Sequence, residues 1–430
     1  MAPLSHLILL SLVLTLAPTP SKPEPLKLTL FRTPSLPHHS DSLLLASLFR
    51  GRRHPGLSVP VVSGAPFGSG QYFAHLRVGS PPQTLTLVTD TGSDLIWLKC
   101  SPCRNCSHHK PNSAFFFRHS ASFSLVHCYS SACSLLPPPP HSHCNHTRLH
   151  SPCRYKYTYG DSSVSEGFFS TETATMNTSS GREAQVPGIA FGCGFEASGP
   201  SLSGPSFSGA VGVLGLGRGA VSFASQAGRS TFSYCLADYT DAPPLSSYLL
   251  LGPHEPTKPM SFTPIITNPL APTFYYVAIE KVSVQGRSLE IEPSVWAVDS
   301  EGNGGTVIDS GTTLSFLVEP AYRKILAAFE ERVGKKERVP KVQSFDLCVN
   351  ASGEVKLPTL KLGLKGGAVM APPPSNYFLE VEPGVKCLAI QSVPRADGFS
   401  ILGNLFQQGF LFVFDNERSR LGFSQTGCAS

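Results

Sequence analysis

The chain is 430 residues long, 41% hydrophobic and only 15% charged, and its 38 glycines and 39 prolines favour a turn-rich β protein over a helical one. Its formal charge of +5 sits mostly in residues 1–60, where six basic side chains face two acidic ones; the nearly neutral remainder carries no electrostatic footprint for nucleic acid. The length allows two domains with sizeable cores, and apolar runs recurring to the C-terminus exclude global disorder.

Residues 7–17 (Leu-Ile-Leu-Leu-Ser-Leu-Val-Leu-Thr-Leu-Ala) form an apolar run that is short for a bilayer span and is closed by Pro18 and Pro20. It reads as the core of a signal peptide over residues 1–20, with a signal anchor as the alternative. Residues 21–65 are rich in Pro, Ser and basic side chains and read as a removable pro-segment, or else as a loose N-terminal arm. No later stretch approaches 18 uninterrupted apolar residues, so a product without stable membrane insertion is expected. Twelve cysteines in such a chain suggest up to six disulfides: Cys100, Cys103, Cys106, Cys128, Cys133, Cys144, Cys153, Cys193, Cys235, Cys348, Cys387 and Cys428. Glycosylation sequons stand at Asn105, Asn145, Asn177 and Asn350. These features favour secretion to the extracellular space or cell wall, with the vacuole as an alternative.

Order is expected from about Tyr72. Residues 72–78 alternate as a strand, Gly79-Ser80-Pro81-Pro82 is a turn, and Thr84–Val88 alternates again, delivering the chain to Asp90-Thr91-Gly92-Ser93. The pattern returns 219 residues later, where Thr306-Val307-Ile308 precedes Asp309-Ser310-Gly311-Thr312. Each motif is followed downstream by an apolar pair closed by glycine, Val213-Leu214-Gly215 and Ile401-Leu402-Gly403. Two lobes of one plan explain the duplication, with boundaries at 66–245 and 246–430. The extra length of the first copy falls in a Cys-, His- and Pro-rich insertion over 100–153. The clearest helix is residues 319–332, with Pro320 near its start and Gly334 past its end.

A single Asp-Thr-Gly-Ser is ordinary turn chemistry; its duplication behind two β-branched strands is not. The cysteines and histidines of 100–109 could imitate a zinc knuckle, but disulfides suit an oxidising compartment better, so no metal or cofactor is expected. Gly215-Leu216-Gly217-Arg218-Gly219 mimics a phosphate-binding loop, yet no βαβ unit surrounds it. No Gly-x-Ser-x-Gly elbow supports a serine nucleophile.

With these residues in hand, the chain resembles the pepsin-like aspartic proteases, and within them the plant nepenthesin-like branch, over roughly residues 70–428. The resemblance rests on Asp90-Thr91-Gly92-Ser93-Asp94-Leu95-Ile96-Trp97, Tyr159-Gly160-Asp161, Asp309-Ser310-Gly311-Thr312-Thr313 and the two apolar-apolar-Gly segments. It implies a mainly β, bilobal fold with one aspartate from each lobe meeting at a cleft. Asp90 and Asp309 would be the catalytic pair. Ser93 and Thr312 would hold their outer oxygens, and Thr91 and Ser310 would brace the loops across the lobes. Gly92 and Gly311 would let the backbone approach the carboxylates. Tyr159 would sit on a flap over substrate with Trp97 behind it, and Ser162 departs from the glycine common at the flap tip. The branch suggests disulfides Cys100–Cys103, Cys106–Cys193, Cys128–Cys153, Cys133–Cys144, Cys235–Cys428 and Cys348–Cys387. The implied activity is a monomeric acid endopeptidase acting on polypeptides, with Ile96, Phe316 and Tyr159 lining an apolar cleft. The alternative is a catalytically silent binding protein on the same fold, resembling glycanase inhibitors or wall receptors.

Overall fold

The computed structural model describes residues 26–31, 70–104, 113–136, 142–144, 150–178, 183–203, 207, 210–238, 247–252, 259–353, 355–393, 398–425 and 428; of 26–31, 103–104, 142–143, 177–178 and 203 it describes the backbone alone. The expected signal peptide, most of the expected pro-segment, Cys106, Asn105 and Asn145 lie outside the described residues, as do the side chains of Cys103 and Asn177.

The first hairpin forms where the alternation places it. Phe73–Val78 pairs antiparallel with Gln83–Asp90 across a turn in which Gly79 takes φ +104, a conformation open to glycine. Alternation sorts the side chains onto two covered faces: Ala74, Leu76, Leu85 and Leu87 enter one core, and Phe73 and Val88 the other. At about 1.5–3 kcal/mol per fully buried large apolar side chain, this two-sided burial holds the strand that carries Asp90.

Both lobes repeat one crossing. The strand ending at Asp90 is joined in parallel by Gly212–Gly215, which pairs antiparallel with Trp97–Arg104. In the second lobe Thr306–Ile308 is joined in parallel by Ser400–Leu402, which pairs antiparallel with Ser315–Leu317. The chain thus leaves each aspartate, loops away and returns beside it. The glycine closing each apolar pair is required by contact: a Cβ on Gly215 would lie 2.3 Å from the Asp94 carbonyl oxygen, and one on Gly403 2.2 Å from that of Leu314.

A sheet shared between the lobes joins them. Thr231–Cys235 pairs with Ser247–Leu251 on one side and with Leu411–Asp415, from the far end of the chain, on the other. Phe232 and Phe414 stack at 4.6 Å within it. Leu26–Phe31, inside the expected pro-segment, pairs with Ser247–Leu251 and Phe73–Val78. The helix spans Glu319–Arg332 with Pro320 in its first turn, burying Tyr322, Ile325 and Phe329.

The structure overturns four of the six expected disulfides. Cys100 bonds Cys193, which excludes both Cys100–Cys103 and Cys106–Cys193. Trp97–Arg104 and Glu183–Ser198 are parallel neighbours with Leu98 opposite Cys193, which brings two fully buried sulfurs together. Cys133 bonds Cys153 and Cys128 bonds Cys144, the reverse of the expected pairing. Burial separates the pairs: Cys133 and Cys153 are in the core, Cys128 and Cys144 half-exposed. Three of these sulfurs lie within 4.8 Å of one another, a proximity that sequence spacing cannot resolve. Cys235–Cys428 and Cys348–Cys387 are paired as the resemblance implied.

Candidate active site

Asp90 closes the strand Gln83–Asp90, and Asp309 follows directly on Thr306–Ile308. Their loops meet face to face with matched partners. The Gly92 N–H donates to Asp90 Oδ1 at 2.8 Å, and the Ser93 hydroxyl to Oδ2 at 2.5 Å. The Gly311 N–H donates to Asp309 Oδ1 at 2.8 Å, and the Thr312 hydroxyl to Oδ2 at 2.5 Å. Each glycine also faces the opposing carboxylate. A Cβ on Gly92 would come within 2.8 Å of the Asp309 carboxyl, and one on Gly311 within 2.3 Å of Asp90 Oδ1.

Below the carboxylates the loops interlock through four hydrogen bonds. Thr91 Oγ1 accepts from the Ser310 N–H at 2.9 Å and donates to the Ile308 carbonyl at 3.1 Å. Ser310 Oγ accepts from the Thr91 N–H at 3.1 Å and donates to the Thr89 carbonyl at 2.9 Å. Thr91 and Ser310 are buried, so each bond is shielded from water, and losing a partner would strand a buried polar group.

The carboxyl of Asp90 is held well above its ordinary range. Burial contributes most, and the neighbouring charge of Asp309 adds to it; donation from Ser93 and Gly92 acts in the opposite sense but is outweighed. Such a pair retains one proton between its members where isolated carboxylic acids have lost theirs.

The flap geometry brings Tyr159 and Trp97 together. Arg154–Thr158 and Val164–Thr178 form the hairpin, and Ser162 takes φ +67 at its tip, which is why glycine suits that position. Trp97 Nε1 donates to the Tyr159 hydroxyl at 2.7 Å, and Tyr157 packs edge-on against Tyr159 at 5.2 Å. The tip is tethered, since Asp161 accepts from the Ser163 N–H and hydroxyl and from the Ser201 N–H and hydroxyl. Of the expected cleft residues, Ile96 is instead buried in the core, just before the strand Trp97–Arg104; Phe316 and Tyr159 are half-buried. Asn350 is exposed at a strand end.

Several supports carried no signal of their own. Gln407 Nε2 donates to the Asp309 carbonyl at 3.1 Å and to the Leu402 carbonyl at 2.8 Å, and receives the Tyr234 hydroxyl. Asn404 Nδ2 donates to the Ser310 carbonyl at 3.0 Å. Asp94 stood in the motif without a role. Its Oδ1 accepts from the Gly219 N–H at 2.7 Å and its Oδ2 from the Thr273 hydroxyl at 2.6 Å, across the lobe boundary. The glycine-rich run 215–219 is explained here: Cβ atoms on Gly217 and Gly219 would lie 2.3 Å and 2.4 Å from the Asp94 carboxylate oxygens. The alternate-glycine spacing was the available signal, and its target was a carboxylate rather than a phosphate.

The xylanase inhibitor N-terminal family matches residues 72–253, and the xylanase inhibitor C-terminal family residues 274–425. Aspartyl protease family protein 2 of Arabidopsis thaliana is 40% identical over 386 residues, which is 88% of this chain and 75% of that relative. Aspartic proteinase nepenthesin-1 of Nepenthes gracilis is 35% identical over 369 residues, 84% of this chain and 79% of the relative. Among solved structures, edgp superposes with a TM-score of 0.69 at 20% identity, covering 95% of this chain and 98% of that one. Basic 7S globulin from soybean superposes at 0.65 and 21%, covering 86% and 96%; at these identities the likeness concerns the fold. Together with the facing Asp-Thr-Gly-Ser and Asp-Ser-Gly-Thr loops, these matches place the chain in the pepsin-like aspartic protease family, in its nepenthesin-like plant branch.

Proposed function

We propose that the protein is an aspartic endopeptidase that hydrolyses polypeptides at acidic pH through Asp90 and Asp309. The observation that carries this reading is the facing pair of carboxyls with mirrored donors and a raised Asp90. Holding one proton, the pair is a base and an acid at once. The ionised member takes a proton from a water as its oxygen attacks the scissile carbonyl carbon. The protonated member donates to the carbonyl oxygen, giving a neutral tetrahedral diol. Return of a proton to the amide nitrogen lets the C–N bond break, releasing amine and carboxylic acid and restoring the shared proton. Tyr159, held from behind by Trp97, would close over the peptide and exclude bulk water.

We further propose a monomer matured from a secreted precursor. The five disulfides among the described residues support an oxidising compartment. A catalytically silent binding protein is the second reading, motivated by the match to the two xylanase inhibitor families. The test is digestion of a denatured protein from about pH 3 to 7 by the wild type, Asp90→Asn and Asp309→Asn. The proposal expects activity only in the wild type. Activity surviving either substitution defeats the paired mechanism, and a folded, inactive wild type favours the binding role.

A further inference from the structure

A pocket of about 760 Å³ opens where the lobes meet, lined by none of the paired aspartates, bracing hydroxyls or flap residues. Its walls include Arg218, Arg229 and Ser225 from the first lobe and Thr267, Asn416 and Glu417 from the second. Arg218 follows the Gly212–Gly215 strand, and Arg229 follows the short helix Phe223–Gln226. The volume lies in the range of small-molecule sites.

The two guanidiniums are uncommitted. Among the described residues neither has a carboxylate within ion-pair distance, whereas nearby Arg418 and Arg420 share Asp415. Arg218 feels the charge of Asp94, but the Asp94 oxygens already accept from Gly219 and Thr273. Arg229 Nε is buried and without a hydrogen-bond partner, as is Oδ1 of Asn416, another lining residue. A buried guanidinium donor with no acceptor is a feature that folding alone disfavours. Glu417 is exposed and offsets only one of the two positive charges.

We propose that this pocket binds a small phosphate- or sulfate-bearing ligand and that the ligand bridges the two lobes. Two guanidiniums present paired N–H groups to a tetrahedral oxyanion, and the hydroxyls of Ser225 and Thr267 complete its coordination. Phosphate and sulfate remain charged in acid, where a carboxylate ligand would be neutralised. The site also adjoins the aspartate loop. The Arg218 N–H donates to the Thr273 carbonyl at 3.0 Å, the Gly217 N–H to the Ser93 carbonyl at 2.8 Å, and the Leu216 N–H to the Asp90 carbonyl at 2.7 Å. An occupant therefore stiffens the segment that supports Asp90.

The test is isothermal titration of the full chain with inorganic phosphate, sulfate and pyrophosphate, at acidic and neutral pH, with melting temperature followed alongside. Wild type should bind at least one of these saturably and melt higher as it fills. Arg218→Gln/Arg229→Gln should weaken binding at least tenfold, while Arg418→Gln should not. Thr267→Glu, at an exposed rim position, should weaken binding too and serves if the double variant misfolds. A sugar phosphate ester in place of the free ion separates the two sources of the group: tighter binding assigns the ligand as an ester, equal binding as the free ion. No saturation of wild type by about 10 mM, or equal binding by the pocket variants, overturns the proposal. These readouts are independent of peptidase activity.

Discussion

Replacing Asp90 by Asn should change how stability depends on pH, and by a large amount. The folded protein raises this carboxyl from 3.8 to about 8, through burial first and the charge of Asp309 second. Between those values the folded chain binds a proton that the unfolded chain does not. The contribution of protonated Asp90 is therefore complete below about pH 4 and is lost as pH rises towards 8. At about 1.4 kcal/mol per unit, the loss is on the order of 5 kcal/mol across the whole range. Asparagine keeps the shape, stays neutral at every pH and leaves Asp309 without a charged neighbour. Urea unfolding at intervals from about pH 4 to 7 should show the wild type losing stability relative to Asp90→Asn by roughly 1 kcal/mol or more per unit. Because the comparison is a difference between two proteins, titrations of carboxylates away from the pair cancel. A difference that stays constant within about 1 kcal/mol over that range would mean that Asp90 ionises alike in both states and that its proton is not held by the fold.

Thr91→Val removes the hydroxyl that serves the Ile308 carbonyl and the Ser310 N–H, both at the buried lobe junction. At about 1–3 kcal/mol per stranded group, destabilisation of about 2–6 kcal/mol is expected in urea unfolding, and an unchanged midpoint would show that the brace contributes nothing. Gly311→Ala puts a Cβ 2.3 Å from Asp90 Oδ1 and must displace that carboxyl. A fall of about 100-fold or more in kcat, with the fold retained by circular dichroism, is the expected result. Trp97→Phe deletes the donor to the Tyr159 hydroxyl while keeping an aromatic ring in the core. It should lower kcat/KM by about tenfold, one neutral hydrogen bond, and wild-type values would separate Tyr159 from catalysis.

The parts of the molecule that were legible in the sequence are those whose physics is local. Alternation from Phe73 to Asp90 specifies a strand buried on both faces because side chains on a strand point to opposite sides. Pro320 begins a helix because its missing N–H has no partner to lose in the first turn. The duplicated Asp-x-Gly motifs were visible because each loop needs its own glycine and hydroxyl beside the carboxylate, whatever the rest of the chain does.

The tertiary structure decided what depends on partners distant in sequence. Asp94 acquires a function only where Gly219 and Thr273 arrive at its oxygens, and Gln407 only where the strand Ser400–Leu402 brings it under Asp309. The cysteine pairings of the insertion were settled by which sulfurs were buried together, a property of packing rather than spacing. Arg218 and Arg229 share a pocket wall with Thr267 and Asn416 only because the second lobe packs against the first. The two aspartates themselves show the division most clearly. The sequence alone determined that each sits in a tight loop after a buried strand, since that follows from neighbouring residues. Their mutual approach, and with it the raised proton affinity of Asp90, required the two lobes to fold face to face, because only then does each carboxyl enter the other's field and leave water.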